Sequence, residues 1–194
     1  MNPLEEKLLS IYKFQENDLV TILSYFKERK FPKKTFLLQE GEVSDRIYFL
    51  QSGLIREFSL NHNCQEFEDL TTWIAHEGKF VYSVDSYVNS LPSHFFIQAL
   101  ENTHTYYIER SSIEYLTESV HGASMMVSKI YENYLVDYEK RMQMLRLPNA
   151  MAAYEQFLKT YPDLSNRIPD KYIASYLNIH PKSLSRLRNY KRKR

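Results

Sequence analysis

The last 27 residues, 168–194, constrain the fold of this chain more than any other stretch. They read IPDKYIASYLNIHPKSLSRLRNYKRKR, two short amphipathic patterns separated by a break, and the second pattern runs into a basic tail. The apolar side chains of the first pattern recur on one face of a helix: Tyr172, Ile173, Tyr176 and Leu177. A pair of short helices whose second member is basic is how a small domain presents a helix to the major groove of DNA.

Proline and asparagine set the predicted ends of these helices. Pro169 and Pro181 suit a first helical turn, where a missing N–H costs nothing. Asn178 suits the left-handed residue that ends a helix. Between the apolar pairs, the small side chain of Ala174 would let two helices approach closely. The second helix is predicted to bury Leu184 and Leu187.

The polar side chains of the second helix and the tail are the candidate DNA contacts. They can donate hydrogen bonds to phosphates, and Arg186 could contact guanine O6 and N7 with two hydrogen bonds. The candidate set is His180, Lys182, Ser183, Ser185, Arg186, Arg188, Asn189, Lys191, Arg192, Lys193 and Arg194. The alternative is a surface helical hairpin with a solvated basic end.

The distribution of charge favours the DNA-binding interpretation. Residues 147–194 carry 10 lysines and arginines against 3 acids, a net charge of +7, whereas residues 1–146 carry 15 against 21, a net charge of −6. The near-neutral total of +1 therefore results from two parts of opposite charge. A strongly basic end is typical of a nucleic-acid-binding segment.

Composition limits the remaining possibilities. No apolar run is long enough for a membrane span, and the N-terminus has no secretory pattern. The single cysteine, Cys64, fits a reducing cytoplasm and is either a thiol switch or inert. The six histidines lack metal-ligand spacing, and no glycine-rich phosphate loop is present. We therefore expect a cytoplasmic protein that is not an enzyme and holds no metal or cofactor, although a haem or redox sensor remains an open alternative.

The remainder of the chain changes its hydrophobic period twice. Residues 3–29 predict short helices. Between 35 and 110, short runs rich in β-branched and aromatic residues recur about every ten residues with turn signals between them, which is typical of an all-β sandwich or barrel. The Asn-His-Asn sequence at 61–63 is predicted to be a hairpin tip.

Beyond Gly122 a long helix with two apolar stripes is predicted. The stripes contain Val127, Ile130 and Tyr134, and Tyr131, Leu135, Tyr138, Met142 and Leu145. A helix with two apolar stripes needs two apolar neighbours, which would be its own β domain and a second copy of the helix. The alternative is a core helix of a monomer. The predicted organisation is a sensor domain at 1–120, a dimerisation helix at 121–146 and a DNA-binding domain at 147–194.

This order resembles the Crp/Fnr family of bacterial transcription regulators, in particular its Bacteroidetes members. Residues 36–56, FLLQEGEVSDRIYFLQSGLIR, are similar to the family's first barrel strands, with Gly41 and Gly53 at the expected turns, and residues 168–188 are similar to its helix-turn-helix. The resemblance implies an α+β chain with a cyclic-nucleotide-binding-type jelly-roll barrel, a long dimerisation helix and a DNA-binding domain.

Three departures from the family pattern affect function. Cyclic-AMP-binding members carry Gly-Glu and, about ten residues later, Arg-Ser or Arg-Thr. Here Lys79 follows Gly78, and Pro92 precedes Ser93 where arginine is expected, so we predict no tight cyclic-nucleotide binding. Any effector pocket would involve Gly78, Lys79, Phe80 and Ser93. A β-hairpin wing after the recognition helix is expected to be reduced or absent.

The third departure is in the recognition helix. Pro181 and Lys182 stand where cyclic-AMP-dependent members place base-reading residues, and only Arg186 matches their third reading residue. We therefore expect a homodimeric, sequence-specific regulator that binds double-stranded DNA with its own sequence preference, and an unidentified small-molecule effector stays an open alternative. The alternative is a small-molecule sensor or protein-interaction module whose helix-turn-helix no longer reads DNA.

Overall fold

A computed structural model describes residues 2–60 and 69–192, with only the backbone of residues 191 and 192. The helices are α1 Pro3–Ile11, α2 Glu16–Ser24, α3 Val84–Asn89, α4 Arg110–Ser119, α5 Ala123–Leu145, α6 Ala150–Thr160, α7 Asp170–Tyr176 and α8 Pro181–Arg192. The strands are β1 Lys27–Phe31, β2 Phe36–Leu38, β3 Arg46–Ser52, β4 Ile55–Leu60, β5 Asp69–Ala75, β6 Phe80–Val81, β7 Phe96–Ala99 and β8 Thr103–Glu109. In these parts of the chain, no helix has the length and apolar character that crossing a membrane requires.

The eight strands form two four-stranded sheets. One sheet has the order β1-β8-β3-β6 and the other the order β2-β7-β4-β5. The registered pairs β1–β8, β3–β8, β3–β6 and β2–β7 are all antiparallel. Because neighbours in a sheet are mostly not neighbours in sequence, the arrangement is the predicted jelly roll and not a meander.

The strands predicted between residues 35 and 110 are confirmed as β2, β3, β4, β5, β7 and β8. Two strands of the described residues were missed: the two-residue β6, and β1, where the helical prediction for 3–29 extends too far. Helix α2 ends at Ser24, and Lys27–Phe31 forms strand β1, four of whose five side chains are exposed. The short helix α3 was also not predicted. The predicted hairpin tip at 61–63 and Cys64 lie outside the described residues.

The chain divides into two compact units. The first contains residues 1–57 and 74–134, and the second contains residues 58–73 and 135–194. Segment 58–73 thus groups with the C-terminal residues although it contains the end of β4 and most of β5. The domain boundaries predicted at 120 and 146 stay predictions, but α5 does end at Leu145, next to the predicted break.

The core of the first unit packs helices on one face of the first sheet. Ile47 and Phe49 of β3 are fully buried in a cluster with apolar residues of α1, α2, α4 and the first half of α5. Gly53 closes the β3–β4 turn at φ +107, and a Cβ there would lie 2.7 Å from the Thr103 Cα. Only glycine fits this close approach of two backbones.

Candidate nucleic-acid interface

Helices α7 and α8 are joined by a turn that their sequence dictates. Asn178 adopts φ +52, and the Ile179 N–H donates to the Ala174 carbonyl at 2.9 Å, so the predicted left-handed end of the first helix is confirmed. Pro181 is the first residue of α8, also as predicted. Pro169 precedes the first residue of α7 and occupies its N-cap position.

A buried apolar core supports both helices. Ile173, Ala174 and Leu184 are completely buried, and Leu177 is nearly so. The full burial of Ala174 agrees with its predicted role in close helix packing. Leu187 is only half-buried, less than predicted.

The exposed face of α8 carries polar side chains at helical spacing. Lys182, Ser185, Arg186 and Asn189 are all exposed, and their spacing of three and four residues places them on one side of the helix. Ser183 is half-buried. This face therefore presents one lysine, one arginine, a hydroxyl and an amide side by side, which are the groups that contact phosphates and base edges.

Arg188 corrects the sequence prediction, which placed it on this exposed face. Its side chain is only 16% exposed, and its Nη1 lies 3.0 Å from the Asp170 Oδ1. Its Nη2 donates to the Ser165 carbonyl. The physical reason is periodicity: Arg188 follows the buried Leu184 by four residues and so shares its inward face. Through its ion pair with Asp170, Arg188 links α8 to the first residue of α7.

His180 and the basic tail complete the predicted set. His180 is exposed, and its Nδ1 accepts a hydrogen bond from the Lys182 N–H at 3.0 Å, so the side chain caps α8. The helix continues through residues 191 and 192, so Lys191 and Arg192 extend α8. Their side chains, and Lys193 and Arg194 entirely, lie outside the described residues.

A serine that sequence reasoning missed attaches α7 to the barrel-derived segment of the same unit. The Ser175 hydroxyl is buried, accepts from the Thr71 N–H at 2.9 Å and donates to the Asp69 carbonyl at 3.2 Å. Strand β5 is at the edge of its sheet, so these backbone groups have no neighbouring strand to bond. The Ser175 hydroxyl thus provides hydrogen-bond partners for one N–H and one carbonyl group at the edge of the sheet.

Arg141 of α5 reinforces this attachment. Its guanidinium lies 4.9 Å from the centre of the Tyr176 ring, and its Nη2 donates to the Thr71 carbonyl at 3.4 Å and to the Tyr176 carbonyl at 3.5 Å. Burial raises the pKa of Tyr176 well above its usual value, and its hydrogen bond to Tyr161 raises it further. Tyr176 is therefore a neutral core residue, which packs edge-on against Phe157 at 6.1 Å.

The predicted dimerisation helix has two different halves. In the first unit, Ile130 is 2% exposed and packs in the core, with Val127 and Tyr131 half-buried against it. Ile130 therefore packs against its own domain, one of the two apolar neighbours expected for this helix, whereas contact with a second copy stays a prediction. The half-buried Tyr134 ring lies 5.9 Å from Tyr82 of the same unit.

The C-terminal half of α5 exposes apolar side chains to solvent. In the second unit, Leu135 is 62% exposed, Val136 51% and Tyr138 44%. Met142 is half-buried. Leu135, Tyr138 and Met142 keep the spacing of three and four residues that characterises a coiled-coil seam. Val136 was not predicted, because it lies between the two apolar stripes.

The predicted effector-pocket residues do not form one site. Gly78 and Lys79 make a turn whose backbone bonds on both sides to Leu50, at 2.9 Å each. Phe80 packs in the core, with its ring 5.2 Å from that of Phe49. Ser93, by contrast, is buried, and its hydroxyl lies 3.0 Å from the hydroxyl of Ser83, ten residues earlier.

These serines belong to a network of buried hydroxyls around α3. Ser86 accepts from the Ser44 N–H at 2.8 Å and donates to the Leu91 carbonyl at 2.6 Å. Ser93 accepts from the Phe95 N–H at 3.0 Å. Arg110 lies over the Tyr87 ring at 4.5 Å and donates to the Ser90 hydroxyl and the Ser44 carbonyl at 2.9 and 3.2 Å. The polar groups around α3 thus bond to one another.

Comparison with known proteins agrees with this architecture. The family model of the cyclic nucleotide-binding domain matches residues 28–119. No curated protein matches the chain.

Solved structures of transcription regulators share its fold. The c-di-GMP-responsive global regulator CLP of Xanthomonas campestris is 14% identical, with 92% of each chain covered and a TM-score of 0.68. A Crp/Fnr-family protein from Eubacterium rectale is 14% identical, with 91% of this chain and 82% of that one covered and a TM-score of 0.67. TTHB099, a CRP-family regulator from Thermus thermophilus, is 15% identical, with 85% and 84% covered and a TM-score of 0.67. Residues 28–119 therefore form a domain of the cyclic-nucleotide-binding type, and the chain has the fold of the Crp/Fnr transcription regulators.

Proposed function

We propose that this chain is a homodimeric, sequence-specific DNA-binding transcription regulator of the Crp/Fnr type that acts in the cytoplasm without control by cyclic AMP. The observation that carries the proposal is the exposed face of α8, which presents Lys182, Ser185, Arg186 and Asn189 together. On its inward face, Arg188 pairs with Asp170 and holds the helix in place. Two such helices in a dimer would enter successive major grooves about one helical turn, roughly 34 Å, apart and read a pseudo-palindrome.

Within this face, the residues have different roles. Arg186 is the proposed base-reading residue, because a guanidinium can make two hydrogen bonds to guanine O6 and N7. Lys182 carries a point charge near the start of the helix and would contact phosphate. The likeness to Bacteroidetes regulators stays a prediction.

The proposal is tested by selecting binding sites from random DNA with the purified protein and then measuring affinity by fluorescence anisotropy. Replacing Arg186 by alanine should lower affinity for the selected site by about 10–100-fold, equivalent to 1–3 kcal/mol, with little effect on random DNA. The matched control is Arg146→Ala, which removes an exposed arginine from the end of α5. Failure to select any site would favour the alternative, a module that does not read DNA.

The basic tail should act on all DNA alike. Deleting residues 191–194 removes four positive charges, so we expect weaker binding to specific and random duplexes in equal measure and a shallower dependence of affinity on salt. If the deletion and Arg186→Ala reduce specific and random binding by the same factors, the proposed division between reading and positioning is wrong.

The independence from cyclic AMP rests on Lys79 and Pro92, which stand where cyclic-AMP-binding members carry glutamate and arginine. The neutral pair Ser83 and Ser93 supports it. Two hydroxyls that already bond each other supply no charge for a cyclic phosphate. Isothermal titration with cyclic AMP or cyclic GMP should therefore give no binding in the micromolar range. A micromolar dissociation constant for either nucleotide would contradict this part of the proposal without affecting DNA binding.

A further inference from the structure

A cleft of about 460 Å³ lies between β1, β2 and the start of β3 in the first unit. Its exposed apolar lining includes Phe36 and Val43. Its polar lining includes Arg29, Arg46 and Tyr48, together with the carboxylates of Glu42 and Asp45. The volume lies within the range of roughly 300–1,000 Å³ that is usual for small-molecule sites. An apolar surface beside a few convergent polar groups is the general form of such a site.

This cleft is separate from the serine network around α3. Among the described residues that line it, none lies between positions 78 and 93, where the cyclic-nucleotide-binding resemblance places the phosphate cassette. It shares only Ser44 with the network, and the Ser44 hydroxyl faces the Ser83 N–H at 3.4 Å. A molecule bound in the cleft would therefore occupy a second, independent position in the barrel.

The Arg46 guanidinium is partly exposed in the cleft and hydrogen-bonds to the Tyr48 side chain, while its Nε atom is buried. Its nearest carboxylate oxygen, on Asp45, is 3.6 Å from Nε, beyond hydrogen-bond distance, and Nε has no hydrogen-bond partner among the described residues. The Asp45 side chain is 60% exposed against 33% for Arg46, so the carboxylate is the more solvated partner. The guanidinium lies 5.3 Å from the centre of the Tyr107 ring, a contact that restrains it without using its hydrogen-bond donors.

Arg29 and Tyr48 complete the polar wall. The Arg29 guanidinium is likewise held over an aromatic ring, that of Phe31, at 4.8 Å. Tyr48 is buried, and burial raises the pKa of its phenol although the positive charges of Arg46 and Arg29 act in the opposite direction. The hydroxyl thus stays protonated at neutral pH and can donate a hydrogen bond. Two guanidinium groups and a phenol therefore converge on one polar wall.

We propose that the cleft binds a small organic anion, with a carboxylate or phosphate group on Arg29, Arg46 and Tyr48 and an apolar body against Phe36 and Val43. A planar guanidinium can bind either oxyanion through two parallel hydrogen bonds. The apolar lining selects a ligand that carries a short hydrocarbon or aromatic group over a free inorganic ion.

Isothermal titration of the full-length protein with three probes tests the site. The probes are phenyl phosphate, phenylacetate and the neutral 2-phenylethanol. The phosphate, the carboxylate or both should bind, and whichever binds identifies the head group, whereas the alcohol should not. Arg46→Gln should weaken binding at least about 10-fold, the usual scale for losing a charge-assisted contact. The matched control Lys33→Gln removes an exposed lysine outside the cleft and should change affinity less than about 2-fold.

Tyr48→Phe provides a second test that keeps the fold intact. It retains the ring that packs edge-on against Phe31 at 5.8 Å and removes only the hydroxyl, so the protein should melt as the wild type does while binding weakens several-fold. The proposal is overturned if neither anion binds at millimolar concentration or if the neutral alcohol binds as well as the anions. It is also overturned if Lys33→Gln weakens binding as much as Arg46→Gln, because the attraction would then be diffuse. None of these measurements involves DNA, so their outcome is independent of the proposed function.

Discussion

Arg188 offers the sharpest test of how the recognition helix is held, because the chain provides its own control two residues away. Arg188 points inward to Asp170 and Ser165, whereas Arg186 is exposed on the same helix. Replacing each by alanine removes the same charge from α8. The structure predicts different consequences: Arg188→Ala should lower the stability of the protein, and Arg186→Ala should lower its discrimination between DNA sequences.

The expected loss of stability follows from the contacts of Arg188. The ion pair with Asp170, whose side chain is 49% exposed, contributes only about 0.5 kcal/mol. The hydrogen bond from the charged Nη2 to the Ser165 carbonyl contributes about 1.5–3 kcal/mol, since Ser165 is 8% exposed and water replaces the donor poorly. Together these contacts predict that the free energy of unfolding falls by about 2–3 kcal/mol.

Thermal unfolding of the second unit measures this change. The single tryptophan, Trp73, lies in segment 58–73, so its fluorescence reports on the unit that contains α8. A loss of 2–3 kcal/mol corresponds to a decrease in Tm of roughly 10–20 °C for a domain of this size. Arg186→Ala should change the unfolding free energy by less than about 0.5 kcal/mol, as is usual for exposed positions. If Arg188→Ala melts with the wild type and loses DNA affinity as Arg186→Ala does, the inward position of Arg188 is wrong.

Three further substitutions test other parts of the structure. Gly53→Ala should cost about 2–4 kcal/mol in urea unfolding followed by circular dichroism, because its Cβ would lie 2.5 Å from the Thr103 hydroxyl at a φ of +107; unchanged stability would show that the turn relaxes freely. Ser175→Val should cost about 1–3 kcal/mol in the tryptophan-monitored melt, since it leaves the buried Thr71 N–H without its acceptor; a neutral effect would mean that water replaces the hydroxyl. Leu135→Asp should convert the proposed dimer to a monomer in sedimentation velocity, because it puts a charge on the open seam, and a persistent dimer would place the interface elsewhere.

Most of the barrel could be predicted from the sequence because most of its strands carry signals in their own residues. The runs that became β3, β4 and β8 combine aromatic and β-branched residues with turn signals, and these properties are local. Strand β1 has no such signal. Its sequence, KERKF, exposes four polar side chains, and only the backbone pairing with β8 makes it a strand. Pairing with a distant segment overrides local propensity, so no inspection of residues 27–31 alone could have found it.

The candidate site was predictable to a similar extent. Proline, asparagine and the apolar spacing located both helices and the turn, because caps depend on single residues. The inward direction of Arg188 could have been inferred from its four-residue spacing to Leu184, a signal that the positive charge obscured. Ser175 left no signal, because its partners on β5 lie about 100 residues away in sequence. Side chains that bond across such distances are the part of a site that a single sequence does not specify.

The serine network supports in energetic terms the proposal that the barrel fixes α3 without a cyclic nucleotide. Ser83 and Ser93 are 1% and 3% exposed, and their hydroxyls bond each other at 3.0 Å. A cyclic phosphate would have to break this bond and bring a negative charge into a site that water has left, which costs several kcal/mol unless a cation compensates. Arg110, the guanidinium of this network, already donates to Ser44 and Ser90.

The position of α3 is therefore set by the chain's own hydrogen bonds, and aromatic contacts extend from it to α5. Tyr87 of α3 packs edge-on against Tyr82 at 5.4 Å, and the Tyr82 ring lies 6.0 Å from that of Tyr131 on α5. Burial raises the pKa of both Tyr82 and Tyr87, so these rings stay neutral and packed at physiological pH. These ring contacts pack the first half of the proposed dimerisation helix against α3 and the barrel of its own unit, and they do so through the chain's own side chains alone.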